Sequence, residues 1–495
     1  MLDFTAPTLD YHALAPEIIL TIALSVVLVA DLFLDRERKW IVGNLASFGL
    51  LAALVPVISL AVTGDDTRSM LGDAYVVDRF SLVLKGLFLV TGYVVLLMSS
   101  RYVEEGDYYE GEFYFLVLCS VLGMTIMASS RDLITIFVAL ETLSIPGYLL
   151  AGWRKRDLKS NEASLKYYLL GVLASAVMLY GMSLIYGYTG STVLSIIGDQ
   201  VEGSVASQPV VSVAIFFIIV GFAFKVSAVP FHFWAPDTYE GSPTPVTAFL
   251  SVASKTGGFV ALFQLIFVGF FGRDDVWMPI FWVLAALTMT VGNLIALRQT
   301  NVVRMLAYSS IAQAGYILVP FAVAGTNADA ARSSFTAAVV YLLVYAAMNL
   351  GAFTVVIAVA RKTRSGEISS YGGLFEYAPG LAVLMTLFLF SLAGIPPLAG
   401  AWAKIFVFRA VIDAGTGWAV ILGVIAALNS VIALFYYSSI AKEMWMNPVP
   451  DGDKTPIAVP SSLTAALGLT AIVVVAVGVY PQLFARLADL ASFIR

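Results

Sequence analysis

Cysteine and histidine are almost missing from this sequence. One cysteine, Cys119, and two histidines, His12 and His232, stand among 495 residues. A lone cysteine closes no disulfide within the chain and builds no cysteine zinc site or iron–sulfur cluster. Two histidines far apart in sequence are poor candidates for a bis-histidine haem. No G-x-G-x-x-G follows a strand and no Walker motif occurs, so dinucleotide binding and nucleotide hydrolysis have no sequence basis. We therefore expect no cofactor, no metal and no redox centre in this chain, and no nucleic-acid partner. Charge is scarce as well: 12% of residues are Asp, Glu, Lys or Arg, against about 25% in a soluble domain.

What fills the sequence is apolar side chain, 60% of the total. It comes in runs of about 18–25 residues, long enough to cross about 30 Å of hydrocarbon. Backbone groups in lipid must be satisfied within the segment, so each run should be a helix. About fourteen spans result, at 16–34, 40–63, 80–100, 113–130, 132–152, 166–188, 209–228, 243–270, 277–297, 302–324, 335–360, 381–410, 417–440 and 462–485. The fold class is an all-α, multi-pass integral membrane protein in the lipid bilayer. Asp3, Asp10 and Glu17 precede the first span in place of a basic leader, which predicts a retained helix. Sorting lysines and arginines into alternate loops puts sixteen on one side and seven, Arg495 included, on the other. The richer side, with Arg36, Arg38 and Lys39, is expected to be cytoplasmic and both termini outside.

A few charges interrupt the spans. Glu141 lies mid-span, Lys225 near the end of its span, and Lys255 and Lys404 inside theirs. Each costs about 2.5–3.5 kcal/mol at a helix centre, and four together on the order of 10–14 kcal/mol. Intramembrane charges of this kind pair, face the bundle interior and mark ion or proton paths. Three lysines against one glutamate cannot all be neutralised by internal pairs, which fits a proton relay better than static bridges. Burial disfavours a charged lysine and a nearby carboxylate opposes that effect. Moving Glu141 relative to Lys225 would then switch the lysine between holding and releasing a proton. Lys85, only a few residues into its span, is expected to snorkel to the headgroups.

Two spans look broken. One passes Lys225 and reaches Pro230, with Pro236, Pro243 and Pro245 close behind; the other holds Gly394, Pro396, Pro397 and Gly400. Paired interrupted helices in two halves point to an ion site and to inverted repeats. Each break lies near a buried lysine, and their separation of about five spans would invert the second unit. Similarity between the halves is faint: 143–150 reads L-S-I-P-G-Y-L-L and 311–318 reads I-A-Q-A-G-Y-I-L.

The stretch Val229–Ser251 reads V-P-F-H-F-W-A-P-D-T-Y-E-G-S-P-T-P-V-T-A-F-L-S. It resembles the signature of the antiporter-like membrane subunits of respiratory complex I, and its Y-x-G-x-P-T-P-V-T-A-F-L-S form is similar to the N-type subunits, the counterparts of mitochondrial subunit 2. L-E-T-L-S-I-P-G-Y at 140–148, N-E-A-S-L-K-Y at 161–167, M-L-A-Y-S-S-I at 305–311 and S-L-A-G-I-P-P-L-A-G at 391–400 extend the resemblance in family order. The M- and L-type relatives usually carry H-T-W-L-P where this chain has His232-Phe-Trp-Ala-Pro236, and L-type subunits add a long lateral helix.

The resemblance implies fourteen helices with two inverted five-helix repeats. The expected divisions are 1–110 (three N-terminal helices), 111–272 (first repeat), 273–442 (second repeat) and 443–495 (last helix). By position Glu141, Lys225, Lys255 and Lys404 match the family's relay residues, and Lys166 matches a lysine at the cytoplasmic start of span six. His232 is either a loop-orienting group or part of the entry. The implied path enters near Lys225, crosses by Lys255 and exits near Lys404, driven by quinone reduction elsewhere. NADH, FMN, the iron–sulfur clusters and quinone would belong to partner subunits. K- and M-type subunits would be neighbours, along with the lateral helix of L, in a bacterial inner membrane. Many family members have histidine where this chain has Gln313, and glutamine does not titrate. A cation/proton antiporter subunit of the related multi-subunit type, or a purely structural scaffold, would use the same sequence. The roles of Arg409 and Asp413 are open between an exit and a helix cap.

Overall fold

The computed structural model describes residues 8–64, 67–106, 110–202 and 208–491. Asp3, Arg495 and the side chain of Arg36 lie outside the described residues. The apolar runs form helices in the order α1 (Ala15–Phe33), α2 (Trp40–Thr63), α3 (Arg79–Glu105), α4 (Glu110–Ser129), α5 (Leu133–Ala151), α6 (Leu158–Thr189), α7 (Leu194–Glu202) and α8 (Pro209–Lys225). Short α9 (Trp234–Gly241) and α10 (Thr244–Phe249) lead into α11 (Lys255–Gln264), followed by α12 (Asp274–Ala296), α13 (Val302–Val323) and α14 (Ala328–Thr363). The chain ends with α15 (Leu374–Tyr377), α16 (Pro379–Ala393), α17 (Ala399–Ala414), α18 (Gly417–Met446), α19 (Ser461–Val479) and α20 (Gln482–Ala491).

Among the described residues, twelve helical stretches are long and apolar enough to cross a membrane, and the shorter apolar α8 and α16 accompany them. Local chemistry sets their ends. Asp78 and Ser81 form a reciprocal cap at the start of α3; Asp132 caps α5 and Asn301 caps α13. Each side-chain oxygen satisfies backbone donors that a helix start leaves free. Gly190 and Gly415 stop α6 and α17 in the left-handed conformation that suits glycine.

The centre of the bundle is α14. Every residue in its most apolar stretch is buried, whereas two thirds of the equivalent stretch of α6 and α18 is not. Those outer helices present Leu165, Leu169, Leu173, Val431 and Phe435 outward, as a lipid-facing surface requires.

Three features depart from the sequence reading. A small antiparallel hairpin, Arg68–Met70 with Tyr75–Val77, precedes α3; its tip uses three successive positive-φ residues, Leu71, Gly72 and Asp73. The last span stops at Val479, because Pro481 removes a donor just beyond it. The remainder forms α20, packed on α3 and α14. The eighth span is not uniformly α-helical: π-helical turns at Leu250–Ser254 and Leu265–Gly269 flank α11, a form frequent at functional sites.

The same main-chain exchange occurs twice. Leu133 N–H donates to Thr192 O and Leu194 N–H to Arg131 O, both at 2.8 Å; Val302 N–H donates to Gly366 O and Ile368 N–H to Thr300 O, both at 2.7 Å. In each case the start of a capped helix, α5 or α13, is pinned to the segment that follows the next helix, α6 or α14.

Candidate functional site

Both broken helices form where proline dictates. The first ends at Lys225 and resumes as α9 at Trp234; the second ends at Ala393 and resumes at Ala399. Each gap holds a cis proline bond, at Val229–Pro230 and Pro396–Pro397. In an unbroken α-helix Ala393 O would accept from the amide of residue 397, but Pro397 has none. That carbonyl instead accepts from Lys404 Nζ at 2.7 Å. Gly394, at φ +91°, turns the chain directly beneath the Lys404 stem.

Lys225, Lys255 and Lys404 are all buried, with 4%, 2% and 5% of their surface exposed. Lys225 donates to Ser144 Oγ at 2.7 Å and to the Tyr167 hydroxyl at 3.4 Å. Tyr167 is stacked on Trp234, whose indole N–H donates to Phe224 O at 3.0 Å, so the aromatic part of the signature holds the first break in shape. Gly258 leaves room for the Lys225 stem, since a Cβ there would stand 3.0 Å from Lys225 Cγ. Lys255 donates to Ser310 O at 2.8 Å and to the Ser310 hydroxyl. Lys404 also reaches Ser430 Oγ at 3.2 Å and lies 4.6 Å from the Tyr316 ring centre. Every hydrogen-bond partner here is a neutral oxygen. Among the described residues no carboxylate lies within ion-pair distance of these three lysines.

Lys85 behaves differently. It does not snorkel: its side chain is wholly buried, and Nζ pairs with Glu17 Oε1 at 2.9 Å and with the Tyr75 hydroxyl at 3.2 Å. The hairpin and α1 close over it, which sequence spacing within α3 alone could not reveal. A second buried pair, Arg131 with Asp78 at 2.7 Å, ties the start of α5 to that of α3.

Glu141 is half-buried and accepts from Ser175 Oγ at 2.6 Å. It makes no ion pair with Lys225. Ser144, one turn further along α5, stands at the lysine instead.

Buried polar groups also lie between the Ser310 contact of Lys255 and the second break. Gln313, one turn beyond Ser310, donates to Leu392 O at 3.0 Å and to the Tyr437 hydroxyl at 3.4 Å, and accepts from the Tyr341 hydroxyl. Tyr437 also meets Ser309. Leu392 adjoins Ala393, whose carbonyl holds Lys404. Between Lys225 and Lys255 stand the buried hydroxyls of Ser227 and Tyr239, which have no aligned hydrogen-bond partner among the described residues. Buried polar groups of this kind are where ordered water is found.

Beside α9, Lys166 contacts Asp237 at 2.8 Å and Glu162 at 2.6 Å, and Arg304 contacts Asp237 at 3.0 Å and Glu240 at 2.8 Å. They surround a cavity of about 140 Å³. Lys166 lies two turns into α6, which begins at Leu158. His232 is buried, but its Nδ1 has no hydrogen-bond partner among the described residues. Arg409 reaches Asp413 at 3.6 Å one turn along α17, and both border a polar cavity of about 460 Å³ with Asp329, Arg332 and Asp489. No cluster able to hold a metal occurs among the described residues. The oxygen partners of the lysines, together with Asp237, Glu240 and Arg304, escaped the sequence reading. The acidic pair lay inside the quoted signature, spaced i, i+3 on one helix face.

Known proteins share this architecture. The family described as NADH:quinone oxidoreductase/Mrp antiporter, TM matches residues 130–430. NADH-quinone oxidoreductase subunit N of Trichlorobacter lovleyi is 41% identical, over 89% of this chain and 88% of its own length. F(420)H(2) dehydrogenase subunit N of Methanosarcina mazei is 40% identical, over 97% of this chain and 98% of its own. A chain of respiratory complex I from Thermus thermophilus, solved with bound aureothin, superposes with a TM-score of 0.78 at 32% identity, covering 96% of this chain and 99% of that one. With its broken helices, its buried lysines and this breadth of similarity, the chain belongs to the NADH:quinone oxidoreductase/Mrp antiporter transmembrane family.

Proposed function

We propose that this chain is the N-type, proton-translocating membrane subunit of a complex I-type quinone reductase. The observation that carries the proposal is the contrast among buried lysines. Lys85 has a carboxylate at 2.9 Å, whereas Lys225, Lys255 and Lys404 have only hydroxyl and carbonyl oxygens. A permanent buried charge calls for a counter-charge. Neutral oxygen donors and acceptors suit a lysine that gains and loses a proton. Protons would enter beside Lys166, with His232 near the first break, and move from Lys225 through the Ser227–Tyr239–Ser310 region to Lys255. From there they would pass along the Gln313–Tyr437 bonds to Lys404. Glu141, without a cation of its own among the described residues, would couple the first lysine to a neighbouring subunit.

In this reading the chain is a non-redox subunit. NADH, FMN, iron–sulfur clusters and quinone lie in partners, K- and M-type subunits and the lateral helix of an L-type subunit pack beside it, and both termini lie outside a bacterial inner membrane. Residues 111–272 and 273–442 form the inverted repeats, between 1–110 and 443–495; the duplicated main-chain exchange at α5 and α13 supports that division. The Methanosarcina relative, named for a different electron donor, is as similar as the bacterial ones, so the donor is set by other subunits.

The test is Lys225→Ala in the assembled complex, with quinone reduction and proton pumping read in the same vesicles. Loss of both with assembly intact is expected; normal turnover with normal pumping would make the chain a scaffold. The family description also covers Mrp antiporters, so a cation/proton antiporter subunit is the second reading. Co-purification with small antiporter subunits in place of redox subunits would favour it.

A further inference from the structure

Beside Lys404 three oxygens stand within hydrogen-bond distance of one another. Ser430 Oγ is 3.0 Å from Ala426 O and 3.0 Å from the Tyr316 hydroxyl, and that hydroxyl is 3.2 Å from Ala426 O. Lys404 Nζ reaches the same Ser430 Oγ at 3.2 Å and Ala393 O at 2.7 Å, and the ring centre of buried Tyr316 lies 4.6 Å from it. The triangle has more contacts than protons. Ser430 and Tyr316 carry one hydroxyl proton each, and Ala426 O can only accept. That carbonyl lies within α18, where the main-chain amide four residues on takes one of its two lone pairs. Two hydroxyls are therefore placed to fill one remaining lone pair.

The charge of Lys404 decides which hydroxyl fills it. A charged ammonium donates to Ser430 Oγ, so the serine proton turns away to Ala426 O and Tyr316 donates to the serine. A neutral amine has a lone pair that needs a donor. Ala393 O cannot donate and Tyr316 presents its ring, whereas the Ser430 hydroxyl is in reach and free to rotate. Its proton swings onto Nζ, and Tyr316 takes over Ala426 O. Both hydroxyl protons keep an acceptor in either state, with no heavy atom moved, so neither state is held back by an orphaned donor. We propose that Ser430 and Tyr316 form a hydroxyl switch that follows the charge of Lys404, an inference that rests on the reading of Lys404 as a proton carrier. Ser430 touches the titrating nitrogen and is a catalytic residue; Tyr316 acts through it and is a positioning residue. Each hydroxyl proton stays on its own oxygen, and the carried proton arrives and leaves by Lys404 itself. Lys225 has half of the same device: Ser144 accepts from its Nζ at 2.7 Å and donates to Leu140 O, four residues back.

The test compares Ser430→Ala, Ser430→Thr, Tyr316→Phe and Lys404→Ala in the assembled complex. Quinone reduction and proton pumping are read per assembled complex in vesicles, in light and in heavy water. Ser430→Ala should lower both rates several-fold and raise the light-to-heavy ratio, because the proton step at Lys404 becomes the slow one. Threonine keeps the hydroxyl and should restore both the rates and the ratio. Tyr316→Phe keeps the ring beside Nζ and removes only the second hydroxyl. It should lower the rates less and raise the ratio in the same direction, and it carries the test should Ser430→Ala assemble poorly. Packing damage alone would lower the rates and leave the ratio where it was. Wild-type rates in Ser430→Ala, with Lys404→Ala inactive, would overturn the switch and leave the relay standing. A loss in Ser430→Ala that keeps the wild-type ratio, or that threonine does not restore, would do the same. Wild-type pumping by Lys404→Ala would overturn both.

Discussion

Replacing Glu17 by glutamine strands Lys85 inside the bundle. The lysine side chain is 0% exposed and the glutamate 10%, so water cannot take the place of the lost charge. Removing one partner of a buried pair costs about 3–5 kcal/mol, against a total stability of about 5–15 kcal/mol for a typical domain. Glu17→Gln should therefore lower the thermal stability of the complex and the amount of this subunit retained in it. The double substitution Glu17→Leu with Lys85→Met removes both charges, and such replacements are often neutral or stabilising. It should restore most of the stability and pump normally per assembled complex. The assay pairs thermal unfolding of the purified complex with pumping in vesicles. Two results would refute the reasoning: unchanged stability in Glu17→Gln, or a stable double variant that fails to pump. The second would place Lys85 in the proton path and dissolve the distinction between paired and unpaired lysines.

Gly394→Ala tests the second break. A left-handed conformation costs a non-glycine residue about 1–2 kcal/mol, and the new Cβ would stand 2.8 Å from Lys404 Cδ. The complex should assemble while turnover and pumping fall together; wild-type pumping would show that the lysine tolerates displacement. Gln313→Leu removes the partner of Tyr341 and of Leu392 O, while Tyr437 keeps Ser309, and each orphaned polar group costs about 1–3 kcal/mol. Pumping should drop several-fold, with Gln313→His retaining more activity; full pumping by the leucine variant would route protons elsewhere.

The membrane helices were legible in the sequence because hydrocarbon thickness imposes a length and a composition that few other folds share. The breaks were legible because Pro230 and Pro397 leave a helix no alternative. Lys85 was misread because its fate depends on Glu17, in a different helix, and on Tyr75, in a hairpin too short to leave a sequence pattern. The surroundings of Lys225, Lys255 and Lys404 were illegible for a related reason. Serine and tyrosine in an apolar run look like ordinary membrane-helix residues, and only packing shows that Ser144, Ser310 and Ser430 face ammonium groups. The hydropathy of 462–485 hid the turn at Tyr480–Pro481, since the amphipathic α20 continues the apolar run.

Part of the lysines' solvation is written in the main chain. Lys255 donates to the carbonyl of Ser310 and Lys404 to that of Ala393. An alanine scan of the surrounding helices deletes hydroxyls and rings but leaves both carbonyls in place, so such a scan underestimates how these ammonium groups are held. For Lys404 the relevant mutation is of a different kind. Alanine at Pro397 would return an amide to the position that can reclaim Ala393 O for the helix. The identity of the lysine's ligand is thus encoded four residues away from it in the helix register, by an atom that proline lacks.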